Sequence, residues 1–309
     1  MTPKDFPIVF ISYDEPNADT NYEHLCAHAS IATHRVHGVK GFDASHQAAR
    51  KIANANNFIT IDGDTRVCSD FWDSQISVDV ANTYCWRSIN KGNGLAYGNG
   101  GVKLWNAYHL DTPSHENDPQ LIDFCFQNKY VSMRSVVSET DCFASPVQAT
   151  RAGFREGLKL LTSAGDTQTS VQLDNTNVNV QKVVDWSSLG CQLENGVYAN
   201  LGTLLSVYHC HVERETSPGV CISYEDTDTE INRLLQITPT LIKSLRSIEP
   251  ADLDKRILCL KEDIFSRTGL FIPRYGKQQS ASIVRHRYSN QTSSNINEEE
   301  TWHNFLHSL

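Results

Sequence analysis

A short apolar run, Phe58 to Ile61, is followed at once by the acidic turn Asp62-Gly63-Asp64. Such runs are typical of strands that are buried on both faces of a parallel sheet. Carboxylates that follow the strand directly lie at its carboxyl end, where open α/β sheets bind ligands. Carboxylate oxygens suit Mg²⁺ or Mn²⁺, and a nucleotide diphosphate can share such a cation. The same triplet is also an ordinary turn composition, so a plain surface turn is the alternative.

The residues before this turn predict a second strand, which can pair with the first. Residues 7–13 form a second apolar run, which stops at Asp14-Glu15-Pro16-Asn17, and residues 42–56 have apolar side chains at helical spacing. The predicted order is strand, loop, helix, strand and acidic turn. If the two strands are neighbours in a parallel sheet, Asp14 and Glu15 share one edge with the Asp62-Gly63-Asp64 turn.

Composition limits the classes of protein that fit. With 309 residues, 39% of them hydrophobic and 9% aromatic, the chain can fill the core of a large α/β domain. The net charge of −9 disfavours a general polyanion binder, because nucleic-acid affinity depends largely on phosphate neutralisation. Acidic and basic residues balance between Arg35 and Lys159, however, and this balance permits a local basic groove.

The cysteine pattern predicts a reducing compartment. Nine cysteines occur without a Cys-x-x-Cys pair, and neither a signal segment nor a long apolar span is evident, so we expect a cytoplasmic protein without membrane contact. His209-Cys210-His211 is the one metal-like cluster. We predict no zinc site there, because adjacent strand residues point to opposite faces and a second ligand pair is missing.

A glycine-rich segment, residues 92–101, predicts a loop at the site. Its five glycines indicate positive φ angles or close approach of a ligand, and a flexible hairpin is the alternative. The spacing matches neither a phosphate-binding loop nor a dinucleotide fingerprint. Trp86, Tyr97 and Trp105 are candidate stacking surfaces for a base, with core packing as the alternative for each.

Two further carboxylates follow a third strand candidate, residues 130–133. Glu139 and Asp141 are candidates for a general base, because deprotonation of an acceptor hydroxyl requires a carboxylate within hydrogen-bonding distance. A predicted helix over residues 150–160 then carries Arg151, Arg155 and Lys159 on one face. This stripe is either a solvated face or a binding site for a diphosphate or an acceptor backbone.

The C-terminal third reads as helical packing followed by a mobile tail. We predict a main domain over residues 1–225, a helical extension packed on it over residues 226–276, and a mobile tail over residues 277–309. Trp302, Phe305 and Leu306 could dock a terminal helix.

These features together resemble a nucleotide-sugar glycosyltransferase with a GT-A architecture. The fold expected is an α/β, GT-A-like (Rossmann-like) central mixed sheet flanked by helices, with a helical C-terminal extension. More specifically, five ordered blocks resemble the phage TET-associated glycosyltransferases, whose members are thought to glycosylate hydroxymethylated cytosine in phage DNA. The blocks are Phe10 to Asp19, Arg35 to Gly41, Asp62 to Asp64, Tyr97 to Trp105 and Arg151 to Glu156.

The resemblance implies roles for individual residues. It makes Asp62 and Asp64 the ligands of Mn²⁺ or Mg²⁺, with His209 guessed as a further ligand from a later strand. The residues expected to bind the nucleotide sugar are Ser12, Tyr13, Asp14, Glu15, Arg35, Lys40 and Gly63. Those expected on the sugar or acceptor side are Asn99, Gly100, Gly101, Lys103, Trp105, Arg151 and Arg155.

The implied reaction moves a sugar from a UDP-sugar to 5-hydroxymethylcytosine in DNA, inside the host cell if a phage encodes the chain. Asp141 or Glu139 would take the proton of the hydroxymethyl group, on a base that is flipped out or single-stranded. A protein, lipid or glycan acceptor is the first alternative. A module that binds metal or sugar nucleotide without turnover is the second.

Overall fold

The computed structural model describes residues 1–110, 130–163, 166–170, 172–213, 227–240, 242–247, 252–291 and 299–301. By their contacts these residues form two units, and the first unit holds those up to 141 and those from 286 onward. The second unit holds the described residues between 142 and 285. This division differs from the boundaries at 225 and 276, which stay a prediction.

A mixed sheet forms the centre of the first unit. Its strands are β1 (Ile8–Ser12), β2 (Thr33–His37), β3 (Asn57–Asp62), β4 (Thr65–Val67), β5 (Thr83–Asn90), β6 (Ala96–Asn106), β7 (Tyr130–Thr140) and β10 (Glu299–Thr301). The strand order is β10-β7-β5-β6-β3-β1-β2, and β4 also pairs with β7. β1 is parallel to β2 and β3, β6 is antiparallel to β3 and β5, and β7 is parallel to β5. β1, β3, β5 and β7 therefore run in the same direction.

Helices cover both faces of this sheet. Helix α1 (Ala18–Ala29) packs its apolar side chains with Phe10, Ile61 and Trp86 on one face. Helix α2 (Phe42–Ala53) packs with Val9 and Phe58 on the other face. A strand between two helical layers is buried on both sides, which explains the continuous apolar runs of β1 and β3. The mixed sheet flanked by helices confirms the predicted α/β class with a central mixed sheet.

Helices dominate the second unit. They are α3 (Pro146–Leu161), α4 (Val178–Trp186), α5 (Gly196–Val207), α6 (Thr227–Ile237), α7 (Leu253–Thr268) and most of α8 (Lys277–Gln291). A two-stranded ribbon, β8 (Thr162–Ser163) with β9 (Asp166–Ser170), accompanies them. Ser145 caps α3 by accepting a hydrogen bond from the backbone N–H of Gln148, and Pro146 occupies the first turn. The helical character of the C-terminal extension is confirmed.

Three local expectations need correction. The glycine-rich segment is not one continuous loop: residues 92–95 lie in the turn of a hairpin and residues 96–101 begin strand β6, which pairs with β5, so the alternative interpretation applies. His209 lies in a π-helical turn, Tyr208–Glu213, that continues α5, and not in a strand. Residues 277–291 of the predicted mobile tail form helix α8. The aromatic residues Trp302, Phe305 and Leu306 lie outside the described residues.

Two further findings apply to the described residues alone. No helix there is long and apolar enough to cross a membrane. The cysteines described there are free thiols: Cys26, Cys68, Cys85, Cys142, Cys191, Cys210 and Cys259.

Candidate functional site

The carboxyl ends of four strands meet at one edge of the sheet in the first unit. Because β1, β3, β5 and β7 run in the same direction, their ends lie side by side. These ends carry residues 12–15, 62–64, 90–92 and 139–141. The backbone N–H of Asp141 donates to the carbonyl of Asp64 at 2.8 Å, which joins two of the ends directly. The edge thus brings together both acidic pairs that the sequence singled out.

Three carboxylates crowd the centre of this edge, those of Glu15, Asp62 and Asp64. Burial, followed by the charges of Asp62 and Glu15, raises the pKa of Asp64 from 3.8 to about 7. The Thr65 hydroxyl, which donates to Asp64 Oδ1 at 3.3 Å, offsets only part of this effect. Like charges held together in this way favour either a proton or a bound cation.

Position 63 requires glycine, because the neighbouring atoms leave no space for a side chain. A Cβ at this position would lie 2.7 Å from Glu15 Oε2 and 3.0 Å from Ser12 Cβ. Glu15 is held against the glycine because its Oε2 accepts a hydrogen bond from the Tyr13 N–H at 2.7 Å. The ends of β1 and β3 therefore touch at this residue, and any larger side chain would displace the Glu15 carboxylate.

Lys103 supplies one fixed positive charge beside these carboxylates. Its side chain is only 4% exposed, and Nζ lies 3.9 Å from Asp62 Oδ2. The ring centres of Phe42 and Trp105 lie 5.6 and 5.8 Å from Lys103 Nζ. One lysine against three carboxylates leaves an excess of negative charge, which a divalent cation could neutralise.

The donor set at this edge fits Mg²⁺ or Mn²⁺ shared with a ligand. Asp62 and Asp64 supply hard carboxylate oxygens, which these ions prefer. Among the described residues, three ligand atoms lie within 4.8 Å of one another only around His209, Glu213 and Glu230. A cation at the aspartate edge would therefore complete its coordination with phosphate oxygens and water, as Mg²⁺ commonly does.

The residues expected around a nucleoside divide into buried and exposed ones. Arg35 Nε donates to Ser12 Oγ at 3.0 Å, and Arg35 Nη1 pairs with Asp19 at 2.7 Å. Ser12 Oγ also lies 3.0 Å from His37 Nδ1. Arg35 therefore orders the end of β1. Tyr13, 45% exposed, leaves part of its ring open to solvent, and Asp14 and Lys40 are exposed as well.

The candidate bases have different partners. The ammonium group of Lys91 forms an ion pair with Asp141, and Asn17 Nδ2 donates to the Asp141 carbonyl at 2.8 Å. Glu139 Oε2 accepts a hydrogen bond from the hydroxyl of Tyr288 at 2.7 Å. Both carboxylates thus belong to the same edge as Asp64, and each is oriented by a different group.

The residues predicted on the acceptor side are less open than expected. Trp105 is a core residue, 1% exposed, and its Nε1 donates to Thr60 Oγ1 at 2.8 Å. Trp86 is likewise 1% exposed, so core packing, the alternative given for each aromatic residue, applies to both tryptophans. A Cβ at Gly101 would lie 2.5 Å from Thr65 Oγ1, so this glycine permits close contact between β6 and β4. The side chains of Asn99 and Gly100 lie outside the described residues.

The basic stripe and the predicted histidine ligand belong to the second unit. Arg151 makes a two-pronged contact with Asp228, with both N–O distances at 2.6 Å, and Lys159 lies 4.0 Å from Glu156. Arg155 is partly buried. The stripe is therefore engaged within its own unit.

His209 lies in a buried ionic cluster. His209 Nδ1 is 3.0 Å from Glu230 Oε1 and 3.6 Å from Glu213 Oε2, and the guanidinium group of Arg233 bridges the two glutamates. Because the Arg233 guanidinium already pairs with both carboxylates, we interpret this group as a packing element of the helices. Its part in the metal site stays a prediction.

Three residues at this edge were missed by sequence reasoning. His37 is two residues after Arg35 on the same strand face, so strand alternation could have identified it. Lys91, directly before the glycine-rich segment, had only a weak signal. Tyr288 is 149 residues away from Glu139 along the chain, and no local pattern marks it.

Comparisons with known proteins give one weak structural likeness. No family model and no curated protein matches the chain. One solved structure that resembles it is a glycosyltransferase involved in the glycosylation of the major capsid of PBCV-1, with 18% sequence identity. The match covers 40% of this chain and 67% of that chain with a TM-score of 0.25. A likeness this weak supports no assignment of function.

Proposed function

We propose that the chain is a metal-dependent glycosyltransferase that moves a sugar from a UDP-sugar to 5-hydroxymethylcytosine in phage DNA. One observation carries the transferase part of this proposal. Three carboxylates with a raised Asp64 pKa lie beside a second carboxylate pair, to which the Asp64 backbone is hydrogen-bonded. The first group suits a cation and a diphosphate, and the second suits proton removal.

The donor would bind across the ends of β1 and β3. Asp62 and Asp64 would hold Mg²⁺ or Mn²⁺, which as a Lewis acid stabilises the charge of the departing diphosphate. The open ring of Tyr13 is suited to stack on a base, and the His37 imidazole to hydrogen-bond with it. Lys103 keeps Asp62 in place beside the diphosphate.

The acceptor is supported by the sequence resemblance to TET-associated glycosyltransferases alone. A cytosine inside a duplex is out of reach of an enzyme, so the base would be flipped out or offered in a single strand. The net charge of −9 favours the second candidate, a transferase of the same fold acting on a protein, lipid or glycan.

The test is to incubate the protein with Mn²⁺, a panel of UDP-sugars and DNA that contains 5-hydroxymethylcytosine. Mass spectrometry of the digested nucleosides is expected to show a hexose or pentose added to the modified base, with no product from cytosine DNA. Donor hydrolysis without DNA modification would instead favour the second candidate. A module without turnover would release no UDP from any donor, and this result would refute the transferase.

An Asp64→Ala variant separates enzyme from binding module. If Asp64 helps to hold the cation, we expect UDP release to fall about 100-fold or more while the circular dichroism spectrum stays unchanged. Hydrolysis at the original rate in this variant would show that the cation is held elsewhere.

A further inference from the structure

The last turns of helix α8 contact the candidate site at two points. Tyr288 donates its hydroxyl hydrogen to Glu139 Oε2 at 2.7 Å. Arg287 Nη1, one residue earlier, donates to the carbonyl of Asn93 at 2.9 Å, in the turn between β5 and β6. Both contacts lie within the first unit, because residues from 286 onward belong to it. The helix end is therefore anchored while its tyrosine faces the base candidates.

We propose that Glu139 is the base of the transfer reaction and that Tyr288 is its positioning residue. This inference rests on the proposed function, and it chooses between the two carboxylates that the sequence left open. It also assigns a role to a helix that composition had placed in a mobile tail.

The partners of the two carboxylates favour Glu139. Asp141 is paired with the ammonium group of Lys91, whereas Glu139 is held by a neutral phenol. The ion pair with Lys91 holds the Asp141 carboxylate as a fixed charge partner, so this side chain has a structural task of its own. Glu139 is oriented by a neutral hydrogen bond at Oε2 instead.

Tyr288 is suited to donate at every pH at which the protein would work. Burial, followed by the hydrogen bond to Glu139 and the charges of Glu139 and Asp141, raises the pKa of Tyr288. The phenol thus stays protonated, and its hydrogen bond occupies Oε2. A proton from the acceptor would then be taken at Oε1.

The step can be written with all atoms in place. The acceptor O–H proton moves to Glu139 Oε1 as the acceptor oxygen bonds to the anomeric carbon. The bond between that carbon and the diphosphate oxygen breaks, and its electron pair leaves with UDP. No oxidant or further reactant is needed. Tyr288 keeps its own proton throughout, so it is a positioning residue and not an acid.

Other charged groups near Glu139 must be considered in any pH experiment. Arg66 lies opposite it on β4, and Asp141 follows it at the end of β7. Burial, followed by the charges of Asp70 and Glu139, raises the pKa of the Cys68 thiol. None of these groups changes when Tyr288 alone is replaced, so a shift in that variant reports the lost hydrogen bond.

The test compares Tyr288→Phe with the wild-type protein in transfer kinetics over a range of pH. We expect kcat to fall about 10- to 100-fold because the base is less well oriented. The KM for the donor and the affinity for UDP with Mn²⁺ should not change. The acidic limb of the kcat profile should move to higher pH, because an ionised carboxylate that loses a hydrogen bond is easier to protonate.

Matched variants make this result specific. Tyr108→Phe removes the same hydroxyl from a side chain that is 73% exposed and is expected to leave kcat unchanged. Glu139→Gln should reduce kcat about 100- to 10,000-fold, and adding Tyr288→Phe to it should cost nothing further. An unchanged kcat and pH profile in Tyr288→Phe would overturn the positioning role. Full activity in Glu139→Gln would overturn the base.

Failure of the proposed function is distinguishable from failure of this inference. If the wild-type protein transfers no sugar, the proposed function falls and with it the role of Glu139 as a base. The positioning contact has its own readout, the titration midpoint of the Glu139 carboxyl followed by carbon-13 NMR. The midpoint should move to higher pH in Tyr288→Phe, and an unchanged midpoint would refute the contact.

Discussion

The carboxylate of Asp64 lies in surroundings that disfavour its negative charge. Its neighbours Asp62 and Glu15 carry the same sign, and burial removes part of the water that would stabilise it. A pKa of about 7 means that Asp64 keeps its proton well above the pH at which it would lose it in the unfolded chain. At neutral pH and above, the ionised Asp64 therefore destabilises the folded protein.

An Asp64→Asn variant should be more stable than the wild-type protein without metal at pH 8. Between pH 3.8 and 7 the folded protein holds a proton that the unfolded chain has released, so wild-type stability falls as pH rises through this range. Asparagine removes this loss, and we expect a gain of about 4 kcal/mol at pH 8 that vanishes near pH 4.

The measurement is urea unfolding of both proteins at several pH values in the presence of a chelator. Mn²⁺ with UDP should then stabilise only the wild-type protein, and more strongly at pH 8 than at pH 6, because metal binding must displace the proton. Equal stability of the two proteins at every pH would contradict this account of Asp64.

At the scale of elements, helices α3 and α5 pack so closely that only glycine fits between them. A Cβ on Gly202 would lie 2.0 Å from the carbonyl oxygen of Thr150, and one on Gly153 would lie 2.1 Å from that of Ala199. These obstacles are backbone atoms, which cannot rotate away. The two glycines thus set the distance between the helices.

Gly202→Ala should force α3 and α5 apart and destabilise the protein by about 3 kcal/mol, as overpacking of a core does. A melting temperature measured by circular dichroism should fall by several degrees. Gly276→Ala is the matched control, because its Cβ would meet nothing within 4 Å. A Gly202→Ala protein as stable as the control would show that the helices separate at little cost.

The cluster around Arg233 connects α6 to the turn after α5, and it should make stability depend on acid. Burial opposes the charge of Glu230, but hydrogen bonds from Arg233 and His209 outweigh it and lower the pKa of Glu230 to about 2. The stability that Glu230 contributes is present above its ordinary value of 4.5 and is lost as pH falls towards 2.

We expect Glu230→Gln to cost about 2 kcal/mol at pH 7, because Arg233 and His209 lose a charged partner. The difference from the wild-type protein should shrink as pH falls below 4.5, and denaturant unfolding at pH 7 and pH 3 measures it. A difference that stays constant with pH would mean that the loss arises from packing and not from charge.

At the scale of the whole molecule, helix α8 contributes to both units. Its Ser280 accepts a hydrogen bond from the Gly190 N–H at 3.0 Å and donates to Gln192 Oε1 at 2.5 Å, all within the second unit. Its Tyr288 and Arg287 serve the first unit. We therefore expect loss of this helix to lower the stability of the second unit and to impair the proposed chemistry of the first unit.

Two truncations test this dual role. A chain that stops after Gly276 should have a lower melting temperature and lose sugar transfer, whereas a chain that stops after Gln291 should keep Tyr288 and retain transfer. The second truncation removes strand β10, which pairs with β7 through only three residues, Glu299–Thr301. If both truncations abolished transfer equally, α8 would not be the decisive segment.

Features of the fold and the site that arise from residues close together in the sequence could be predicted. Contacts between residues far apart in the sequence could not. The strand before Asp62, the helix before it and the acidic turn are local patterns, and the parallel pairing of β1 with β3 follows from them. The exposure of Trp105 could not be predicted, because a tryptophan at a strand end looks the same whether its face is covered or open. The contact of Tyr288 with Glu139 depends on the path of the whole chain.

That path has a consequence for biosynthesis. The ribosome would deliver the strands of the carboxylate edge early, but the tyrosine that orients Glu139 emerges only after the entire second unit has been translated. A nascent or prematurely terminated polypeptide would hold the aspartates without a properly oriented proton acceptor. On the proposed function, incomplete chains would therefore transfer sugar at least about 10-fold more slowly than the finished protein.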